Sequence, residues 1–120
     1  MPLTILVSGD REWSDYEKIK NELKKYPDAS IIVGDCRGVD ILTQKVAKEL
    51  KQRCDVHKAD WKKYGKTAGP IRNGKMLSVL LEREGDKLVM LFHPDLSRSR
   101  GTINMKRLAQ AKKLRIIHVA

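Results

Sequence analysis

The fold of this chain is decided by a stretch in which an apolar run meets a glycine-bracketed loop and the start of a helical pattern: Ile31-Ile32-Val33-Gly34-Asp35-Cys36-Arg37-Gly38-Val39-Asp40. The pattern predicts a strand, a short loop and a helix. Glycine at both ends of the loop lets backbone N–H groups approach a ligand, and such a loop favours an anion. Arg37 would add a charged fork for phosphate or carboxylate, and Asp40 would accept hydrogen bonds from sugar hydroxyls or loop N–H groups. The alternative is a plain strand-to-helix turn with Asp40 as a cap.

Apolar and amphipathic segments alternate along the rest of the chain. The predicted strands cover residues 3–8, 31–33, 54–59, 88–92 and 116–119, of which 54–59 is more polar and suits a sheet edge. The predicted helices run from a capping box at Ser14 to Glu17 as far as Pro27, and over residues 39–50, 69–84 and 101–113. This order predicts an α/β, three-layer, doubly wound Rossmann-like fold in one domain, residues 1–120, with about five parallel strands and helices on both faces.

The composition bounds the partners of the protein. Lys and Arg number 25 against 15 Asp and Glu, which gives a formal net charge of +10 and favours an anionic partner. Nucleic acid, nucleotides and acidic proteins would all be attracted. Aromatic residues make up only 5% of the chain, so few side chains could stack on single strands, and we expect at most weak, non-specific nucleic-acid binding.

The cysteines and the N-terminus indicate the compartment. Cys36 and Cys54 do not form a C-x-x-C pair, so neither a disulfide framework nor a metal site is expected. The chain shows neither a secretory signal pattern nor an apolar run long enough to span a membrane. We therefore expect a cytoplasmic protein without a membrane partner.

Three loops are predicted to converge at the carboxyl edge of the sheet, where open α/β sheets bind ligands. They cover residues 8–13, 34–40 and 93–102, and each contains Gly and Arg. His93, at the end of the fourth strand, would face the same crevice. Gly65-Lys66-Thr67 is not a Walker A loop, because that motif needs Gly where the chain has Asp60. The glycine fingerprint of NAD-binding Rossmann domains is also absent.

Five motifs at the predicted strand ends and helix starts resemble one family when they are read together. They are Gly9-x-Arg11-x-Trp13-x-Asp15, the loop at residues 34–40, Ala59-Asp60-Trp61 with Tyr64-Gly65-Lys66, Ala68-Gly69-Pro70-x-Arg72-Asn73 with Met76, and Ser99-x-Gly101-Thr102. Their order is similar to the SLOG superfamily in its YspA and YpsA-like branch, over nearly the whole chain. The resemblance implies a Rossmann-like fold related to DprA and to the LOG phosphoribohydrolases, and a nucleotide-type small molecule such as AMP, ADP-ribose or NAD as ligand, with no required cofactor.

The resemblance places residues 34–40 on the ligand and makes Gly101-Thr102 a phosphate-binding turn. A threonine hydroxyl and free N–H groups at a positive helix end suit a phosphate independently of any resemblance. Arg72 resembles an arginine that takes part in the site of LOG enzymes; its alternative is a surface arginine in a first helical turn, where the helix dipole disfavours a cation.

Aromatic and polar positions complete the predicted set. Trp13 and Trp61 are candidates to stack on a base, and the alternative for both is a large side chain that covers the sheet edge. The ligand-binding candidates are Gly9, Arg11, Trp13, Gly34, Arg37, Gly38, Asp40, Asp60, Trp61, Arg72, Asn73, Ser99, Gly101 and Thr102.

One departure from the LOG pattern leaves catalysis open. LOG enzymes carry G-G-x-G-T-x-x-E, and Met105 stands where the glutamate would be. Cleavage of an N-glycosidic bond needs a carboxylate near the anomeric carbon, and Asp10, Asp35, Asp40 and Asp60 are the substitutes that the sequence offers. No catalytic residue is assigned.

Three functions remain as hypotheses. The first is a nucleotide-binding module, with a sensor as one form of it. The second is a LOG-like hydrolase of nucleotides, and the third is DprA-like DNA binding, motivated by the positive charge. A homodimer is one assembly open to each of them.

Overall fold

A five-stranded parallel sheet forms the centre of the protein in the computed structural model, which describes residues 2–120. The strands are β1 (Leu3–Gly9), β2 (Ser30–Val33), β3 (Cys54–Val56), β4 (Asp86–Phe92) and β5 (Arg115–Val119). Their spatial order is β3-β2-β1-β4-β5, and every neighbouring pair is parallel. The helices are α1 (Tyr16–Leu23), α2 (Val39–Glu49), α3 (Trp61–Tyr64), α4 (Ala68–Glu82) and α5 (Gly101–Ala111).

Helices cover both faces of the sheet, because alternate residues of each buried strand point to opposite sides. Ile31 and Val33 of β2 pack with α1 and α2, through residues such as Ile19 and Val46. Ile32, between them, packs on the other face against Met76 of α4 and Met105 of α5. The predicted α/β, three-layer, doubly wound fold is confirmed.

The strand order reverses direction at β1. From β1 the chain moves outward through β2 to β3, and then returns through α4 to place β4 on the other side of β1. The crevice at the carboxyl ends of β1 and β4 is therefore the switch point at which such sheets bind ligands. β3 is an edge strand, as its polar sequence predicted.

β3 ends at Val56, three residues before its predicted end, and both boundaries of α1 differ from the prediction. The N-cap of α1 is Asp15 and not Ser14, because the Asp15 carboxylate accepts a hydrogen bond from the Lys18 N–H at 3.1 Å. The helix ends at Leu23, four residues before Pro27. There the buried Gln52 amide donates hydrogen bonds to the carbonyls of Leu23 and Tyr26, so a distant side chain satisfies the end of this helix.

Residues 60–68, which lie between the third predicted strand and the third predicted helix, are mostly helical. Asp60 caps α3 by accepting a hydrogen bond from the Lys63 N–H at 3.1 Å. A 3₁₀ turn over Gly65–Thr67 follows, and α4 begins at Ala68. Within residues 2–120, none of the helices combines the length and the apolar character needed to cross a membrane.

Candidate functional site

A cavity of about 650 Å³ lies at the carboxyl edge of the sheet, at the switch point. It is lined by the loops after β1 and β2, by the segment that joins α3 to α4, and by the connection from β4 to α5. The three loops that the sequence predicted to converge therefore meet around one space. Eight of the predicted residues line it: Arg11, Arg37, Trp61, Arg72, Asn73, Ser99, Gly101 and Thr102.

Three of the predicted glycines, Gly9, Gly34 and Gly38, allow close contacts between the loops and do not line the cavity. Gly38 has φ of +76°, and a Cβ there would overlap the Asp10 carbonyl oxygen. At Gly34 a Cβ would lie 2.5 Å from Arg72 Nη1 and 2.6 Å from Asp40 Oδ2. Gly9 allows a similar close approach, to the carbonyl of Phe92 and the side chain of Val39. These positions need glycine because neighbouring protein atoms fill the space.

Arg72 lines the cavity but is only 8% exposed. Its Nη1 forms an ion pair with Asp35 Oδ1 at 3.0 Å, and its Nη2 lies 3.6 Å from Cys36 Sγ. Arg11 Nη2 approaches the same sulfur at 4.0 Å. The Asp35 carboxylate, on the loop after β2, is thus the anionic partner of Arg72.

Asp40 is buried behind this loop rather than in the cavity. Its Oδ2 accepts a hydrogen bond from the Cys36 N–H at 3.0 Å. Burial raises the pKa of Asp40 to about 6, against the opposing effects of that hydrogen bond and of the nearby Arg72 cation. The carboxylate orders the 34–38 loop from within, but it does not cap α2, whose N-cap is Gly38 and has no side-chain hydrogen bond.

The N-terminus of α5 forms one wall of the cavity. Ser99 Oγ accepts a hydrogen bond from the Thr102 N–H at 2.9 Å. Asn73 Nδ2 donates to the Gly101 carbonyl at 3.3 Å and to Asn104 Oδ1 at 3.0 Å, and so joins α4 to α5. The first turn of a helix presents N–H groups and a positive dipole end, and the tie from Asn73 holds this turn at the cavity.

The cavity is strongly basic, with six cationic side chains on its lining against two carboxylates. Two of the cations are paired: Arg37 with Glu12, both exposed, and Arg72 with Asp35. For the other four, no carboxylate oxygen of residues 2–120 lies within the 4.0 Å of an ion pair. These unpaired cations are Arg11, Lys66, Arg98 and Arg100.

The two tryptophans have different positions. Trp61 is 45% exposed and lines the cavity. Trp13 packs edge-on against Phe92, with ring centroids 5.7 Å apart, and its Nε1 donates to the Asp15 carbonyl at 2.9 Å. It lies beside a second, smaller cavity, so the structure does not bring it to the larger one. Asp60 is used as the cap of α3.

Nine lining residues were not among the ligand-binding candidates, although His93 was predicted to face this crevice. They are Asp10, Glu12, Cys36, Lys66, Gly69, Pro70, His93, Arg98 and Arg100. Most are direct neighbours of predicted residues, so the loop positions could have identified them. Asp10 and His93 stand at the ends of β1 and β4, the two strands that flank the switch point.

Met105 is completely buried in the core between α5 and the sheet. Met105 does not line the cavity, and a glutamate in its place would be buried among the apolar side chains of the core. The described residues also contain no cluster of three or more side chains that could hold a metal ion.

The sheet order defines a Rossmann-like α/β protein with a basic cavity at its switch point. Residues 3–64 match the model of the YspA, cpYpsA-related SLOG family. The chain is also 31% identical over 124 residues to the Gene 61 protein of Mycobacterium phage D29, a match that covers 95% of this chain and 94% of that protein. No solved structure matches. The chain belongs to the YspA, cpYpsA-related SLOG family, as the sequence motifs predicted.

Proposed function

We propose that the protein binds a nucleotide or nucleotide-derived ligand in the cavity at the carboxyl ends of β1, β2 and β4. One observation carries this proposal: four cations without a carboxylate partner line the same cavity as the N-terminus of α5, and two of them, Arg98 and Arg100, directly precede that helix. Unpaired cations at a helix N-terminus favour a phosphate group through charge and through directed N–H donors.

The phosphate would lie against the first turn of α5. Ser99 already satisfies the Thr102 N–H, which leaves the neighbouring donors of that turn for the ligand. Arg98 and Arg100 flank the turn on its exposed side, and both side chains can rotate toward an anion. The two kinds of group act together, since a guanidinium fork and backbone N–H groups bind different oxygens of one phosphate.

The rest of the ligand would extend toward Trp61. A volume of about 650 Å³ falls within the usual range for small-molecule sites, roughly 300–1,000 Å³. The exposed face of Trp61 offers a base a stacking partner at the cavity rim. AMP, ADP-ribose and NAD share a phosphate and a base, and they are the ligands that we propose.

Calorimetric titration with AMP, ADP-ribose, NAD and cyclic nucleotides tests this function. We expect at least one of them to bind, and Arg100→Ala to weaken its binding by about 1–3 kcal/mol through loss of a charged hydrogen bond. Lys112→Ala is the matched control, because Lys112 follows the last residue of the same helix, about 16 Å from its first turn. The proposal fails if no nucleotide of the panel binds, or if both variants weaken binding equally.

A further inference from the structure

The cavity contains one carboxylate that its basic surroundings leave unexplained. Asp10 lines the cavity with its side chain 20% exposed, and among the described residues no lysine or arginine nitrogen lies within 4.0 Å of its carboxylate. Its backbone is held on three sides: the N–H donates to the Phe92 carbonyl at 2.9 Å, and the carbonyl accepts from Val39 at 3.1 Å and Trp13 at 3.3 Å. Asp10 is therefore firmly fixed at the end of β1.

His93 lies next to this carboxylate, at the end of β4. It is 6% exposed, and its Nδ1 accepts a hydrogen bond from the Asp95 N–H at 2.9 Å. Because the Nδ1 lone pair is engaged, the neutral ring carries its proton on Nε2. Nε2 lies 3.9 Å from Asp10 Oδ1, beyond hydrogen-bond distance. For the Nε2 of this ring, residues 2–120 supply no hydrogen-bond acceptor, and His93 borders the cavity.

The other carboxylates near the cavity already have protein partners. Glu12 pairs with Arg37, Asp35 pairs with Arg72, and Asp40 accepts the Cys36 N–H behind the loop. One oxygen of Asp10 also has a local role, because Oδ1 accepts the Glu12 N–H at 3.0 Å. The second oxygen has no hydrogen-bond donor anywhere in the described part of the chain.

A fixed, unpaired carboxylate repels a phosphate, and the repulsion is strong in a partly desolvated site. The part of the ligand that faces Asp10 must therefore be neutral and must donate hydrogen bonds. Next to it, the His93 Nε2–H requires an acceptor. A vicinal diol meets both conditions, since one hydroxyl can donate to the carboxylate while its neighbour accepts from the imidazole.

We propose that Asp10 and His93 form the subsite for the ribose hydroxyls of the ligand. This inference rests on the proposed nucleotide binding and gives the cavity a direction: phosphate at the first turn of α5 and sugar over the ends of β1 and β4. It also limits His93 to a donor role. A general base needs a free lone pair toward the substrate, and the only lone pair of this ring is held by Asp95.

Titration of the wild type and of Asp10→Asn with AMP, 2′-deoxy-AMP, 3′-deoxy-AMP and 2′,3′-dideoxy-AMP tests the subsite. We expect wild type to bind dideoxy-AMP about 10-fold to 100-fold more weakly than AMP, the effect of losing a hydrogen bond to a charged group. Asp10→Asn should bind AMP more weakly but dideoxy-AMP as tightly as wild type or more tightly, because the substitution removes a charge that repels phosphate. If the substitution instead distorted the site, the variant would bind both AMP and dideoxy-AMP more weakly.

The ratio of the two dissociation constants makes the test independent of a general loss of folding. Glu17→Gln is the control, and it should keep the wild-type ratio, because Glu17 is an exposed carboxylate on α1 that does not line the cavity. His93→Gln should lower the ratio. If wild type binds AMP and dideoxy-AMP equally, the subsite is refuted while the proposed function stands. If it binds no nucleotide, both are refuted.

Discussion

The substitution Asp40→Asn tests how much the buried carboxyl group behind the cavity loop lowers the free energy of unfolding. Asp40 is 7% exposed, and its pKa is raised from 3.8 to about 6, chiefly by burial. Between these two values the folded chain holds a proton that the unfolded chain has released. The free energy of unfolding therefore falls as the pH rises from about 4 to about 6, and it levels off above that window.

The size of the effect follows from the two pKa values. Each unit of difference corresponds to about 1.4 kcal/mol, so the wild type should lose about 3 kcal/mol over this window through Asp40 alone. Asparagine has the same shape and can still accept the hydrogen bond from the Cys36 N–H, but it does not ionise. The variant should therefore lack this loss.

Urea unfolding of the two proteins from pH 4 to pH 8 provides the measurement. The difference between their unfolding free energies cancels every other titrating group. Asp28→Asn removes an exposed carboxyl group from the loop before β2 and controls for the change in net charge. A difference that stays constant from pH 4 to pH 7 would refute the reasoning. A wild type that gains stability relative to the variant as the pH rises would show that attraction to Arg72 outweighs burial.

Three further predictions concern the loop, the core and the charge of the protein. Gly38→Ala should lower the unfolding free energy by about 2 kcal/mol or more, because φ is +76° and the Cβ would overlap the Asp10 carbonyl. Gly65→Ala is the control: φ is +55° but the space around it is open, so the loss should be about 1 kcal/mol. Equal losses in the two variants would contradict the role of the Asp10 contact. Met105→Glu should destabilise the protein by several kcal/mol, because the residue is fully buried. Chromatography should detect no adenine after incubation of this variant with AMP. Adenine released by the wild type would show that another carboxylate is catalytic. The protein should bind DNA weakly and without sequence preference, with an affinity that falls steeply between about 0.05 and 0.2 M salt. Sequence-specific binding that persists at about 0.2 M salt would favour DprA-like DNA binding instead.

The fold could be predicted because its signals are local. The run Ile31-Ile32-Val33 has no polar alternation, and the structure buries it on both faces, as a central parallel strand requires. The end of α1 was missed because the group that satisfies it, Gln52, lies 29 residues away from Leu23. A boundary that depends on a distant side chain has no local signal.

The site could be predicted only in part, for the same physical reason. Strand ends and helix starts bring Arg37, Arg72 and Thr102 to one edge of the sheet, and this follows from topology. Topology does not tell which of the charged side chains remain unpaired and free to bind a ligand. Arg72 is paired across 37 positions with Asp35, and Arg37 across 25 positions with Glu12. Trp13 packs against Phe92, which is also distant in the sequence, so no local signal predicts its position.

The charge balance of the cavity is therefore a stronger guide to its ligand than the list of residues that line it. A formal charge of +10 attracts any polyanion, and it does not separate DNA from a nucleotide. The pairing within the site does separate them, since an unpaired Asp10 beside the unpaired cations would repel a continuous phosphate backbone that passed over the ends of β1 and β4. A ligand with a phosphate at one end and hydroxyl donors at the other satisfies both kinds of unpaired group, and a nucleotide has this arrangement.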